Sequence, residues 1–161
     1  MTAQLPEHLI HQGQTLTLAT EPLDLFMVMA ALPWKLNAHS TALWRGYIGT
    51  WAIEADRLYL KSLKGWVKEL EKTKEVGLED LFPGFPDGVF AHWYTGELRC
   101  PHGALLKYVH GGFHSVYEED HFLRVQRGVL KDERIVRNGT APPNAEAGYL
   151  IKAWTTFGIE E

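Results

Sequence analysis

Of the 161 residues, 45% are hydrophobic, 12% aromatic and 22% charged, the profile of one globular domain and not of a disordered, fibrous or membrane-spanning chain. Sixteen Lys and Arg stand against twenty Asp and Glu, for a formal charge of -4, and a general nucleic-acid coat is excluded because it needs a clustered positive field. A lone cysteine, Cys100, points to a reducing compartment, and a single domain over 1–161 is expected to bury roughly two-thirds of its unfolded surface without disulfide or metal.

No basic leader runs into a long apolar stretch at the start of the chain, so no signal peptide is expected and the location read from the sequence is cytoplasmic. Residues 14–20 (QTLTLAT) alternate polar and apolar side chains and predict a half-buried strand. The strongest apolar run, 23–34 (LDLFMVMAALPW), is interrupted by Asp24 and Pro33. It falls short of the ~20 residues of a membrane span and predicts a core element. Residues 37–41 read as a polar turn. In 44–51 and 57–63 the side chains alternate again, with Glu54, Ala55 and Asp56 between them, which predicts a β-hairpin.

The charged stretch 64–75 carries Trp66, Val67 and Leu70 as a narrow apolar stripe, Lys68 and Glu71 three apart, Lys72 and Glu75 three apart, and Gly77 as a stop. That pattern predicts a short surface helix. GLEDLF reads as one helical turn, and LFPGFPDG, with Pro83 and Pro86, as a loop. From 89 to 136 the chain is dense in β-formers, punctuated by Gly96, Gly103, Gly111, Gly112 and Gly128, the spacing of an antiparallel meander. APPNAE is a linker, and the tail 146–157 fits a helix or a strand. The fold class expected is therefore α+β, mainly antiparallel β in a curved sheet or roll with one or two peripheral helices. A β-barrel is the alternative.

Five of the eight histidines, His92, His102, His110, His114 and His121, fall within thirty residues. His110 and His114 have the i, i+4 spacing of a helical ligand pair, but two glycines lie between them, each costing a helix about 1 kcal/mol. On an extended strand they would stand ~13 Å apart, too far for bonds of ~2 Å to one zinc. No metal site is expected. No cofactor is expected either, since neither GxGxxG nor GxxxxGK[ST] occurs. Cys100 reads as a small buried hydrophobe, although His102 lies close enough in sequence to activate a thiol.

The densest set of polar groups is YVHGGFHSVYEED, residues 108–120. Gly111 and Gly112 suit a turn with positive φ, in a plain hairpin or in a binding loop. His110 or His114 with Glu118 could serve as an acid/base pair, whereas Ser115 lacks a nucleophile-elbow pattern. Nineteen aromatic residues supply anchors for a protein partner. The binding residues expected are Trp93, Tyr94, Tyr108, Tyr117, Glu119 and Asp120.

The segments WRGYIGTWAIEADRLYL, GLEDLFPG, VFAHWYTGELR and YVHGGFHSVYEED, spanning about Ala42 to Asn138, resemble a group of small bacterial proteins without an assigned activity. The resemblance implies a bacterial or phage cytoplasmic setting and transfers no catalytic residue. The function expected is that of a small soluble cytoplasmic binding protein, of inhibitor or immunity type, that occupies a protein partner, with homodimerisation also open to it and no membrane or general nucleic-acid partner. The alternative is a small hydrolase-like enzyme built on His110, His114 and Glu118.

Overall fold

Alternating side chains and two-residue turns build most of the chain into strands. The computed structural model describes residues 3–30, 32, 36–38 and 40–141. The strands are β1 (Glu7–His11), β2 (Gln14–Leu18), β3 (Tyr47–Glu54), β4 (Arg57–Glu69), β5 (Lys72–Gly77), β6 (Val89–Phe90), β7 (Gly96–Lys107), β8 (Val116–Gln126) and β9 (Val129–Arg137). Two short helices, α1 (Asp24–Ala30) and α2 (Leu78–Leu81), complete them. Ala55 and Asp56, both at positive φ, join β3 to β4, the backbone that matches a tight hairpin to strand twist. The predicted hairpin is present.

The sheet runs β2-β1-β3-β4-β9-β8-β7, with β5 and β6 also paired to β4. β1 and β3 pair in parallel and the other neighbours are antiparallel, so the β-rich α+β expectation stands. The barrel alternative does not, because the sheet is open. Its terminal strands β2 and β7 form no ladder, and β4 meets β9 through one pair only, Arg57 with Val129. The predicted meander appears as β7, β8 and β9.

On the inner face, residues two apart are buried together: Leu9 on β1, Leu18 on β2, Trp51 on β3, Leu58 and Leu60 on β4, Leu98 and Cys100 on β7, Leu123 and Val125 on β8. Each large side chain so buried contributes about 1.5–3 kcal/mol. Trp93 closes one end of this core, stacked at 5.8 Å on Phe82, and its indole N–H donates to the Pro22 carbonyl at 2.8 Å.

Several local expectations are corrected. Residues 64–75 form no helix: β4 continues to Glu69 and turns into β5, pairing Lys68 with Thr73 and Gly65 with Val76. Period two wins because Leu63, Gly65 and Val67 all turn inward. The 23–34 run is not a core element as a whole: Leu23 is buried, but α1 lies at the periphery with no buried residue, leaving Val28 81% exposed. After the two residues of β6 the chain turns, so Trp93 and Tyr94, within the stretch dense in β-formers, lie outside any strand. β1 has no counterpart among the sequence expectations. The tail 146–157 lies outside the described residues.

Candidate functional site

Between the terminal strands lies a cavity of about 840 Å³, within the ~300–1,000 Å³ of small-ligand sites. Gln14 to Thr17 and Ala19 line one side, Arg99 and residues 101–104 the other, and Gln4, Pro6, Phe113, Ser115, Tyr117 and Glu118 close it off. The two edges touch at one point. There the Ala19 N–H donates to the Arg99 carbonyl at 2.8 Å, and the Arg99 N–H donates to the Thr20 hydroxyl at 2.8 Å.

Three polar side chains around this cleft, Arg99, Ser115 and Glu118, are committed to its frame. Arg99 donates through Nε to Asp120 at 2.7 Å, through Nη2 to the Ser115 carbonyl at 3.0 Å and through Nη1 to the Phe113 carbonyl. It thereby pins the loop between β7 and β8 against β7. The Ser115 hydroxyl accepts from the Val109 N–H at 2.9 Å, which spends it on the loop. Glu118 accepts from the Ala104 N–H through one oxygen and the Ala141 N–H through the other, both at 2.8 Å. Those two amides hold its carboxyl below the usual carboxylate range.

The residues singled out from the sequence are only partly gathered here. Tyr117 and Glu118 line the cleft, and burial pushes the Tyr117 phenol up to about 12. His110 and His114 are exposed, and His110 Nδ1 lies 2.6 Å from the Tyr108 hydroxyl. No hydrogen bond joins either imidazole to Glu118 among the described residues. Asp120 is buried in its bonds to Arg99 and Asn138. Glu119 pairs with Arg137 at 3.5 Å. Trp93 belongs to the core, and the Tyr94 hydroxyl donates to the Glu97 carbonyl. Gly112 has the expected positive φ of 54°. Burial and the charge of Glu133 push the Cys100 thiol up to about 12, so little thiolate exists at neutral pH.

A second polar group, unseen in the sequence, lies where β1 meets β3. Glu7 has no solvent exposure. It accepts from Trp51 Nε1 at 2.7 Å, the Gly49 N–H at 3.0 Å and Arg45 Nε at 3.1 Å. Burial holds its carboxyl above the usual carboxylate range, and Arg45 with the two N–H donors offsets only part of that. Both Arg45 Nη atoms are buried without a hydrogen-bond partner among the described residues. The guanidinium lies 5.3 Å from the Tyr47 ring and 5.9 Å from the Phe113 ring, so cation–π attraction supplies part of the compensation. Neither Glu7 nor Arg45 lines the cleft.

Missing from the sequence expectations were Arg99, Pro101 and the β2 edge. Pro101 was the available signal, since proline inside a strand marks a sheet edge. No group of three or more metal-donor side chains is gathered among the described residues. No described helix is long and apolar enough to cross a membrane. Comparison of the chain with protein-family models, curated proteins and solved structures finds no match in any of the three.

Proposed function

We propose that the protein is a small cytoplasmic binding protein of inhibitor or immunity type, which acts by occupying a protein partner at the cleft between β2 and β7. One observation carries the reading: the cleft is open while three of the polar side chains that frame it are already bonded to the framework. Arg99, Ser115 and Glu118 all face framework partners. A general base or nucleophile needs its reactive atom within reach of a substrate proton or carbonyl. A binding site needs shape, apolar walls and a few fixed polar groups, which Leu16, Ala19, Phe113 and Tyr117 around Arg99 provide.

Co-purification from the native host, followed by titration of the captured partner with pure protein, tests this. The expected result is saturation at one equivalent with the partner chemically unaltered. Conversion of excess partner by a trace of the protein would mean catalysis and would overturn the reading.

A further inference from the structure

The parity of the backbone in β2 and β7 says what kind of ligand the cleft takes. A two-residue turn, Gln12 and Gly13, joins β1 to β2, and His11 faces Gln14 across it. In such a hairpin the pair next to the turn exchanges both hydrogen bonds, and pairs alternate from there. Gln14, Leu16 and Leu18 therefore point their amides and carbonyls at β1, while Thr15 and Thr17 point theirs away. The Ala19 N–H, next in that series, does point away and reaches Arg99. On β7 the same bond sets Arg99 outward, and with it Pro101 under the same alternation, before the ladder becomes irregular after His102.

Moving from this contact back toward Gln14 and forward toward Ala104, the two edges pair with nothing among the described residues. Thr15 and Thr17 thus offer two N–H donors and two carbonyls into the cleft. Pro101 opposite offers a carbonyl alone.

Resting on the binding-protein reading above, we infer that the partner enters this slot as a single extended peptide strand, bonded along its backbone to the Thr15 and Thr17 edge of β2. An unpaired edge recruits an extended chain because main-chain hydrogen bonds supply affinity whatever the side chains. A second copy of the protein fits less well: an edge backed by its own sheet would run into Gln4 and Pro6 on one side and Phe113 to Glu118 on the other. An isolated strand clears both.

The test uses the full chain and short random peptides displayed on phage. Selected peptides are made synthetically, and amide hydrogen exchange is read with and without them. New protection is expected at Thr15 and Thr17, with the core amides unchanged. N-methylation of the peptide at alternate positions is expected to weaken binding about tenfold or more, and at the intervening positions far less.

Thr17→Pro removes only an outward N–H, so it should abolish peptide binding while leaving the melting temperature near that of the parent. Because N-methylation alters only the peptide, it decides the matter even where Thr17→Pro fails to fold. Protection confined to another face, or equal tolerance of N-methylation at every position, would overturn the proposal. So would concentration-dependent dimerisation that Thr17→Pro abolishes, which would put a second copy in the slot. A native partner retained in full by Thr17→Pro would defeat the strand slot but leave the binding-protein reading intact.

Discussion

Two carboxylates on this sheet are held by backbone and side-chain donors, yet their settings differ. Glu7 on β1 sits without solvent exposure beside a buried guanidinium, whereas Glu118 on β8 stands at the rim of an open cleft, clamped by two backbone amides. The first region uses charge to specify how β1 and β3 meet, at a large cost in desolvation. The second uses it at low cost to tie β7 to the segment that follows β9. Removing a partner should therefore unfold the first region and merely loosen the second.

The largest effect is expected at Glu7. Glu7→Ala would leave Arg45 buried with no carboxylate and strand the Trp51 N–H, a loss of about 3–5 kcal/mol by analogy with broken buried pairs. Chemical denaturation gives the number directly. A loss below about 1 kcal/mol would mean that water reaches Arg45 and that the contrast between the regions is false.

Next comes Arg99→Met, which keeps the aliphatic stem but removes donors to Asp120 and to two loop carbonyls. The expected cost is about 2–3 kcal/mol, as for hydrogen bonds to charged groups. Hydrogen exchange should show Phe113 to Val116 opening while β3 and β4 stay protected, and uniform loss of protection would show that the cleft frame and the core unfold as one. Gly103→Ala acts on the same frame from the other side. Gly103 has a φ of 87°, and an added Cβ would lie 2.6 Å from the Glu118 carboxylate. Left-handed strain of roughly 1–2 kcal/mol and a displaced clamp are expected, read as a lower melting temperature. Unchanged melting would release Glu118 from its assigned role.

How legible all this was depends on where the deciding force lies. The β3–β4 hairpin and the β7–β9 meander were readable because alternation and turn residues are local. The helix expected over 64–75 failed because Lys–Glu spacing is a weak local preference. The inward packing of Leu63, Gly65 and Val67 overrode it. Of the site, Tyr117 and Glu118 were found as members of a conspicuous polar run. Arg99 was not, since its role comes from meeting a segment some eighty residues away, which no local pattern encodes. The Glu7 cluster was hidden for the same reason, its partners lying 38 to 44 residues on.

The smallest effect separates the two regions by the sign of their pH dependence. Glu21 feels the charges of Glu7 and Arg45, and burial, with Asp24 beside it, raises its carboxyl from 4.5 to about 7, so between those values the folded chain holds a proton that the unfolded chain has released. Stability from this group is then fully present below about 4.5 and declines as pH rises to about 7. Solvent screening of this half-buried group reduces the change to roughly 1 kcal/mol. Glu21→Gln keeps a donor toward Asp24 and removes the charge, so the variant should gain on the parent across that interval and hold its advantage above it. Glu118 predicts the reverse, because its lowered value means stability present above the ordinary carboxylate range and lost as pH falls through it. Glu118→Gln should therefore trail the parent at neutral pH and draw level in acid. Melting curves of the three proteins from about pH 2 to 8 compare both signs, and parallel profiles for parent and Glu21→Gln would show that burial does not hold the Glu21 proton.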